Sequence, residues 1–139
     1  MDRADILRQF DRYGIQPTSQ RIEIAGILLE RPQHLSADQI IDRLKEKKSG
    51  VSKATVYNTL KLFGERGLVT EIIVDPQRRY YDSNTDRHHH FYNIDTGSLT
   101  DIPRDALTVS HIPDCPDGAR LESIEVLVKV RNKGPDKSG

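Results

Sequence analysis

"SKATVYNTLKLFGERG", residues 52–67, decides how the first half of this chain is read. Val56, Leu60 and Phe63 recur at helical spacing and predict one buried stripe. Ser52 offers an N-cap oxygen, and Gly67 can take the left-handed backbone that ends a helix. Off the stripe lie Ser52, Lys53, Thr55, Tyr57, Asn58 and Lys61. Lys53 and Lys61 suit phosphates, Asn58 can pair with adenine, and Thr55 or Tyr57 can pack on a thymine methyl. An ordinary solvated helix would show the same face, so the pattern alone leaves both readings open.

Working outward from this helix, three shorter ones are predicted before it. Ile6, Leu7, Phe10 and Tyr13 share a helical face that Gly14 ends. Thr18 or Ser19 caps a second helix, whose apolar residues Ile22, Ala25, Ile27, Leu28 and Leu29 run toward Arg31 and Pro32. His34 falls in the link "PQHLSADQ". Ser36 and Gln39 form a capping-box pair for a third helix that buries Ile40, Ile41 and Leu44. After Gly67 come "LVTEIIVD" (68–75) and "RRYYD" (78–82), joined by Pro76-Gln77, which predicts a hairpin. Short helices followed by a two-stranded hairpin are the layout of a winged helix-turn-helix, in which one helix enters the major groove. Arg21 at the start of the second helix is another phosphate candidate. Arg78 and Arg79 sit at the hairpin tip.

The pattern changes after about residue 83. "HHHFYNID", "GSLTDI" and "LESIEVLVKV" are short strand candidates, and the prolines of "TVSHIPDCPDGA" argue against a long helix between them. The expected division is residues 1–82 and 83–139, with "NKGPDKSG" (132–139) a disordered tail. Three short strands are too few to be stable alone, which points to pairing with a second copy. Along a strand, His88 and His90 would share one face and His89 the other.

Composition sets limits. The single cysteine, Cys115, excludes an internal disulfide and an all-cysteine zinc site. Lys/Arg and Asp/Glu balance at 21 each, yet residues 1–80 carry 14 and 11 while residues 81–139 carry 7 and 10. A mildly basic first part and an acidic second part fit a DNA-contacting region joined to a cation-binding one. The opening residues lack the apolar core of a signal peptide, and no apolar run approaches the ~20 residues that span a bilayer. A cytoplasmic protein is expected.

The ordered stretches "GIQPTSQRIEIAGIL", "HLSADQI", "VSKATVYNTLKLFGERGLV" and "HHHFYNIDTG" resemble the ferric uptake regulator family. The resemblance extends over residues 5–131, nearly the whole chain. It implies an α+β protein: an N-terminal winged helix-turn-helix joined to a small C-terminal α/β dimerisation domain. The implied function is metal-dependent control of transcription by a homodimer on an AT-rich palindrome of double-stranded DNA. Tyr57 and Asn58 fall on the base-reading positions. Many iron-sensing members have arginine where Asn58 stands, and the peroxide-sensing branch has asparagine.

Spacing offers only His88 and His90 as paired ligands. His34, Asp82 and Asp101 are a link residue, a turn residue and a strand residue until the resemblance is considered. It carries His34, Asp82, His88, His90 and Asp101 onto the regulatory metal site of the peroxide-sensing branch. Such nitrogen and oxygen donors suit Fe(II), Mn(II) or Zn(II). In that branch, iron and peroxide together lead to oxidation of a ligand histidine. His34 and His88 stand at those positions.

The chain also departs from the family pattern. Asn93 and Thr96 replace the first Cys-x-x-Cys pair, and no second pair follows "VLVKVRN", so the structural zinc site is absent. Arg87 and His89 replace expected ligands of a second site, although His89 could still join His111 or Glu122 in a weaker one. The HHH run and the short C-terminal region resemble the iron response regulator branch, which implies haem as a ligand of His89 or of Cys115 in Cys115-Pro116. The signal is therefore open between iron status, haem and peroxide. A hydrolytic metal centre is the rival from another class, and a protein whose ion only stabilises the fold is a second. The chain shows neither a glycine-rich loop nor a substrate domain, and an enzyme is not expected.

Overall fold

The computed structural model describes residues 1–83 and 89–134. The chain divides into two compact units, Met1–Asp86 and Arg87–Gly139. Together their helices and sheets make an α+β protein. No helix among the described residues is long and apolar enough to cross a membrane.

The first unit is built on four helices. Helix α1 (Arg3–Arg12) opens with a capping box between Asp2 and Asp5. Helix α2 (Ser19–Leu28) is capped by Thr18, whose side chain accepts the Arg21 N–H. It ends three residues before the expected Arg31: the Leu29 N–H makes the last helical bond, to the Ala25 carbonyl, and Gln33 takes the carbonyls of Ile27 and Leu28. Helix α3 (Ala37–Glu46) has the Ser36–Gln39 capping box, and α4 (Lys53–Arg66) runs from the Ser52 cap to Gly67 in left-handed backbone. Ile24, Ile27, Ile40, Val56, Leu60 and Phe63 are buried at the centre, where the Phe10 and Phe63 rings lie 5.6 Å apart.

A three-stranded sheet completes this unit. The hairpin strands are β2 (Thr70–Asp75) and β3 (Arg78–Asp82), with a register shift between Ile73 and Asp75. The third strand, β1 (His34–Ser36), pairs antiparallel with β3, giving the order β1-β3-β2. The sequence reading had a link here. Three residues are too few for strand alternation to register, and Ser36 serves both as the last strand residue and as the cap of α3.

The second unit is a mixed sheet of β4 (His89–Asn93), β5 (Leu99–Ile102) and β6 (Leu127–Val130) in the order β5-β4-β6. Strand β4 runs antiparallel to β5 and parallel to β6. His90 and Tyr92 are buried while Phe91 is exposed, as strand alternation requires. Among the described residues of this unit the helical content is one 3₁₀ turn, Arg104–Ala106, followed by a long irregular segment in which Pro113 and Pro116 deny backbone donors to any helix. Strand β6 covers only the end of "LESIEVLVKV", the part that pairs with β4. Of the expected disordered tail, residues 135–139 lie outside the described residues. Asn132 is bonded to Asn93 and Asp95.

Candidate functional site

Strand register places one histidine opposite one aspartate in each unit. In the first, His34 on β1 is the direct partner of Asp82 on β3, with Nε2 to Oδ2 at 3.1 Å. Asp82 is only 2% exposed, so this carboxylate has given up nearly all its water and needs its polar neighbours. In the second, His90 on β4 is the direct partner of Asp101 on β5, with Nε2 to Oδ1 at 3.3 Å. His90 is buried and Asp101 is exposed.

Directly opposed residues of an antiparallel pair have Cβ atoms about 5 Å apart, so an imidazole and a carboxylate meet without backbone strain. Donor atoms about 3 Å apart are also the spacing of neighbouring ligands on one cation whose bonds measure about 2.0–2.2 Å. Each pair thus fits two coordination positions of a borderline or hard divalent cation, and forms an imidazole–carboxylate hydrogen bond in its absence. Iron and manganese both accept this donor set.

His88 lies outside the described residues. His89 is turned to a structural task, since its Nδ1 accepts the Val126 backbone N–H at 2.9 Å and so ties β4 to the approach of β6. His111 and Cys115 are exposed in the irregular segment, as is Glu122. Among the described residues, His89, His111, Cys115 and Glu122 do not assemble as three donors able to hold one ion.

The outer face of α4 borders a cleft of about 820 Å³ lined by Tyr57, Asn58 and Lys61 on one side and by Arg78, Arg79 and Tyr80 on the hairpin side. Lys53, Tyr57, Asn58 and Lys61 are exposed. Ser52 and Thr55 are engaged in the cap: the Ser52 hydroxyl accepts the Thr55 N–H and donates to Thr55 Oγ1. Arg21 donates to the Gln16 carbonyl at 2.8 Å. Arg79 pairs with Glu71 at 3.0 Å.

Asp38 and Glu71 were missed by the sequence reading, and both act on tyrosines. The Tyr57 hydroxyl donates to Asp38 at 3.4 Å, and its pKa is raised by desolvation and then by the Asp38 charge and hydrogen bond. Burial, followed by the charge of Glu71, raises Tyr81. No signal in the sequence marks the Tyr57–Asp38 pairing, which joins α4 to α3, whereas Glu71 and Tyr81 are direct partners within the hairpin that the sequence predicts.

The fold is that of an α+β protein, and His34, Asp82, His90 and Asp101 are donors that could hold a metal ion. The sequence model of the Ferric uptake regulator family matches residues 12–128, and the chain belongs to that family. A peroxide-responsive repressor, PerR, of Staphylococcus epidermidis is 33% identical over 89 residues, covering 64% of this chain and 59% of that protein. The ferric uptake regulation protein of Synechococcus elongatus is 31% identical over 93 residues, covering 66% and 63%. The chain thus matches about three-fifths of the length of these relatives. The ferric uptake regulator of Pseudomonas aeruginosa, solved with manganese, shares the fold at 22% identity with a TM-score of 0.68, covering 92% of this chain and 98% of that one.

Proposed function

We propose that this chain is a DNA-binding regulator whose affinity for its operator is set by a divalent cation. The observation that carries the reading is the repetition of one device. In a chain of the ferric uptake regulator family, each unit holds a histidine and an aspartate as direct cross-strand partners. His34, Asp82, His90 and Asp101, together with His88, form the proposed ligand set for Fe(II) or Mn(II). A bound cation supplies positive charge that two imidazoles and two carboxylates can share.

The first unit is the proposed winged helix. Helix α4 reads the major groove through Tyr57 and Asn58, while Lys53 and Lys61 neutralise phosphates. Arg78 and Arg79 present the hairpin to the DNA backbone. The second unit is the proposed dimerisation domain. Phe91 on β4, Ile94 just after it, and Val109, Ile112 and Leu121 in the irregular segment are exposed apolar side chains of a unit whose sheet has only three strands, which supports burial against a second copy. Two recognition helices then meet two half-sites of an AT-rich palindrome. The named relatives, a repressor and a ferric uptake regulation protein, support a regulator rather than an enzyme.

Binding of the full chain to such a palindrome is the test, at one fixed salt concentration because phosphate contacts make affinity salt-dependent. Mn(II)-loaded protein should bind at least about tenfold more tightly than chelated protein, a coupling of about 1.4 kcal/mol. Equal affinity in both states would sink the reading. A sample loaded with Fe(II) and then given hydrogen peroxide identifies the signal. Loss of binding with added oxygen on a peptide holding His34 or His88 assigns peroxide; unchanged binding assigns iron status.

A further inference from the structure

We infer that Gln33 is a positioning residue that couples the His34–Asp82 ligand pair to the helices carrying α4; this inference rests on the metal-responsive reading above. Gln33 precedes the ligand His34 and uses every polar group it has. Its backbone N–H donates to Ser83 Oγ at 3.3 Å, and its carbonyl accepts the Ser83 N–H at 3.4 Å. Ser83 follows the ligand Asp82 and donates its own hydroxyl to the Arg31 carbonyl at 3.3 Å. The β1–β3 pairing therefore continues one step past the two ligands as a closed set of hydrogen bonds.

The Gln33 side chain leaves the strand and reaches two helices. Its Nε2 donates to the Ile27 carbonyl at 2.7 Å and to the Leu28 carbonyl at 3.3 Å. These are terminal carbonyls of α2, which lack partners within the helix. Its Oε1 accepts from Arg43 Nη1 on α3 at 3.3 Å. Helices α2 and α3 pack on α4 through the shared core of Ile24, Leu28, Ile40, Leu44, Val56 and Leu60.

One side chain thus bridges three elements next to a metal-ligand pair. A cation that draws His34 and Asp82 into new positions must also move the adjoining Gln33–Ser83 step. Bonded to both helix ends, that step cannot shift alone. A contiguous hydrogen-bonded chain between rigid elements is a physical route for coupling, provided the elements have two arrangements. Leu29 and Val51 pack at the edge of the core, and their N–H groups bond only locally, to Ala25 and Ser49, so they offer no such link between elements.

The test compares full-length wild type with Gln33→Ala and Gln33→Glu. The glutamate keeps the shape and can accept from Arg43, but it cannot donate to the α2 carbonyls. Mn(II) is the probe, and the first readout is hydrogen exchange of α4 amides with and without it, which needs no operator. Wild type should gain about tenfold protection in α4 on Mn(II) addition, and both variants should lose most of that gain while binding Mn(II) within a few-fold of wild type. The DNA-affinity ratio between Mn(II)-loaded and chelated protein should fall in parallel.

A purely structural Gln33 gives a different result: a lower melting temperature with the Mn(II)-dependent gain intact, and that outcome overturns the inference. Protection of α4 absent from wild type overturns it as well. If wild type shows protection in α4 but no metal-dependent DNA affinity, the regulatory reading fails while the coupling through Gln33 stands.

Discussion

His34 and Asp82 are direct cross-strand partners, with Nε2 and Oδ2 3.1 Å apart and the carboxylate 2% exposed. Burial makes this aspartate's charge dependent on its neighbours, so replacing it separates charge from shape. Asp82→Asn keeps the volume and loses the negative charge. Outer-shell partners of metal ligands cost about 10–100-fold in affinity when changed, and a direct ligand should cost at least as much. Calorimetry with Mn(II) should therefore show Asp82→Asn binding at least about tenfold more weakly. An unchanged affinity would remove Asp82 from the ligand set.

The end of α4 offers a cleaner stability test. Gly67 has φ 85°, and a Cβ there would meet only the Tyr13 ring at 3.9 Å, an ordinary contact. Space is therefore available, and Gly67→Ala should be penalised by backbone conformation alone. Left-handed backbone costs an L-residue about 1–2 kcal/mol. Denaturant unfolding should show a loss of that size with no change in the dependence on denaturant. A loss several times larger would mean that the loop after α4 had rearranged.

Lys61 tests the proposed DNA face. It is exposed beside Asn58 on the wall of the cleft between α4 and the hairpin. A residue that neutralises one phosphate contributes about 0.9 to the slope of log affinity against log salt. Lys61→Ala should lower that slope by about one and weaken binding evenly across DNA sequences. Asn58→Ala should instead relax the preference at one base position, and identical behaviour of the two variants would contradict their assigned roles.

The four helices and the hairpin were legible because each carries a local signal. Ser36–Gln39 announces α3 by a capping box, and Gly67 marks the end of α4. The His–Asp pairs were legible only in part. His34 sits in a strand of three residues, too short to show alternation, and nothing local says that β1 pairs with β3 rather than with solvent. Gln33 was invisible for the same reason, since its partners Ile27, Leu28, Arg43 and Ser83 are brought together by folding. The end of α2 was placed too late because Leu29 and Arg31 are good helix formers. A tertiary cap from Gln33 stops the helix before Pro32 does.

The Tyr57–Asp38 pair predicts a pH response. Desolvation first, and then the Asp38 charge and hydrogen bond, raise the Tyr57 pKa above its ordinary value of about 10. Between the unfolded and folded values the folded state holds the extra proton. The contribution is thus complete below the unfolded pKa and is lost as pH rises through the folded one. Asp38→Asn removes the anion and should bring Tyr57 back toward the ordinary value. Following the Tyr57 ring carbons by NMR from neutral to alkaline pH checks this, and a titration unmoved by the substitution would show that Asp38 does not act on the hydroxyl.

Asn93, Asp95, Arg131 and Asn132 form a polar clasp between the turn after β4 and the end of β6. Asn93 donates to the Asn132 side chain at 2.8 Å and accepts the backbone N–H groups of Asp95 and Thr96. Asp95 accepts the Asn132 N–H at 2.9 Å and pairs with Arg131 at 3.2 Å. The turn after β4 is thereby joined to the end of β6, beside the Ile94 N–H to Val130 carbonyl bond. Each such bond contributes about 0.5–1.5 kcal/mol, so losing the two made by Asp95 should open this edge without unfolding the chain. In Asp95→Ala, hydrogen exchange at Ile94 and Asn132 should accelerate by about tenfold or more, while amides of α4 stay as protected as in wild type. If Ile94 kept its protection, backbone pairing of β4 with β6 would be holding the edge without the clasp.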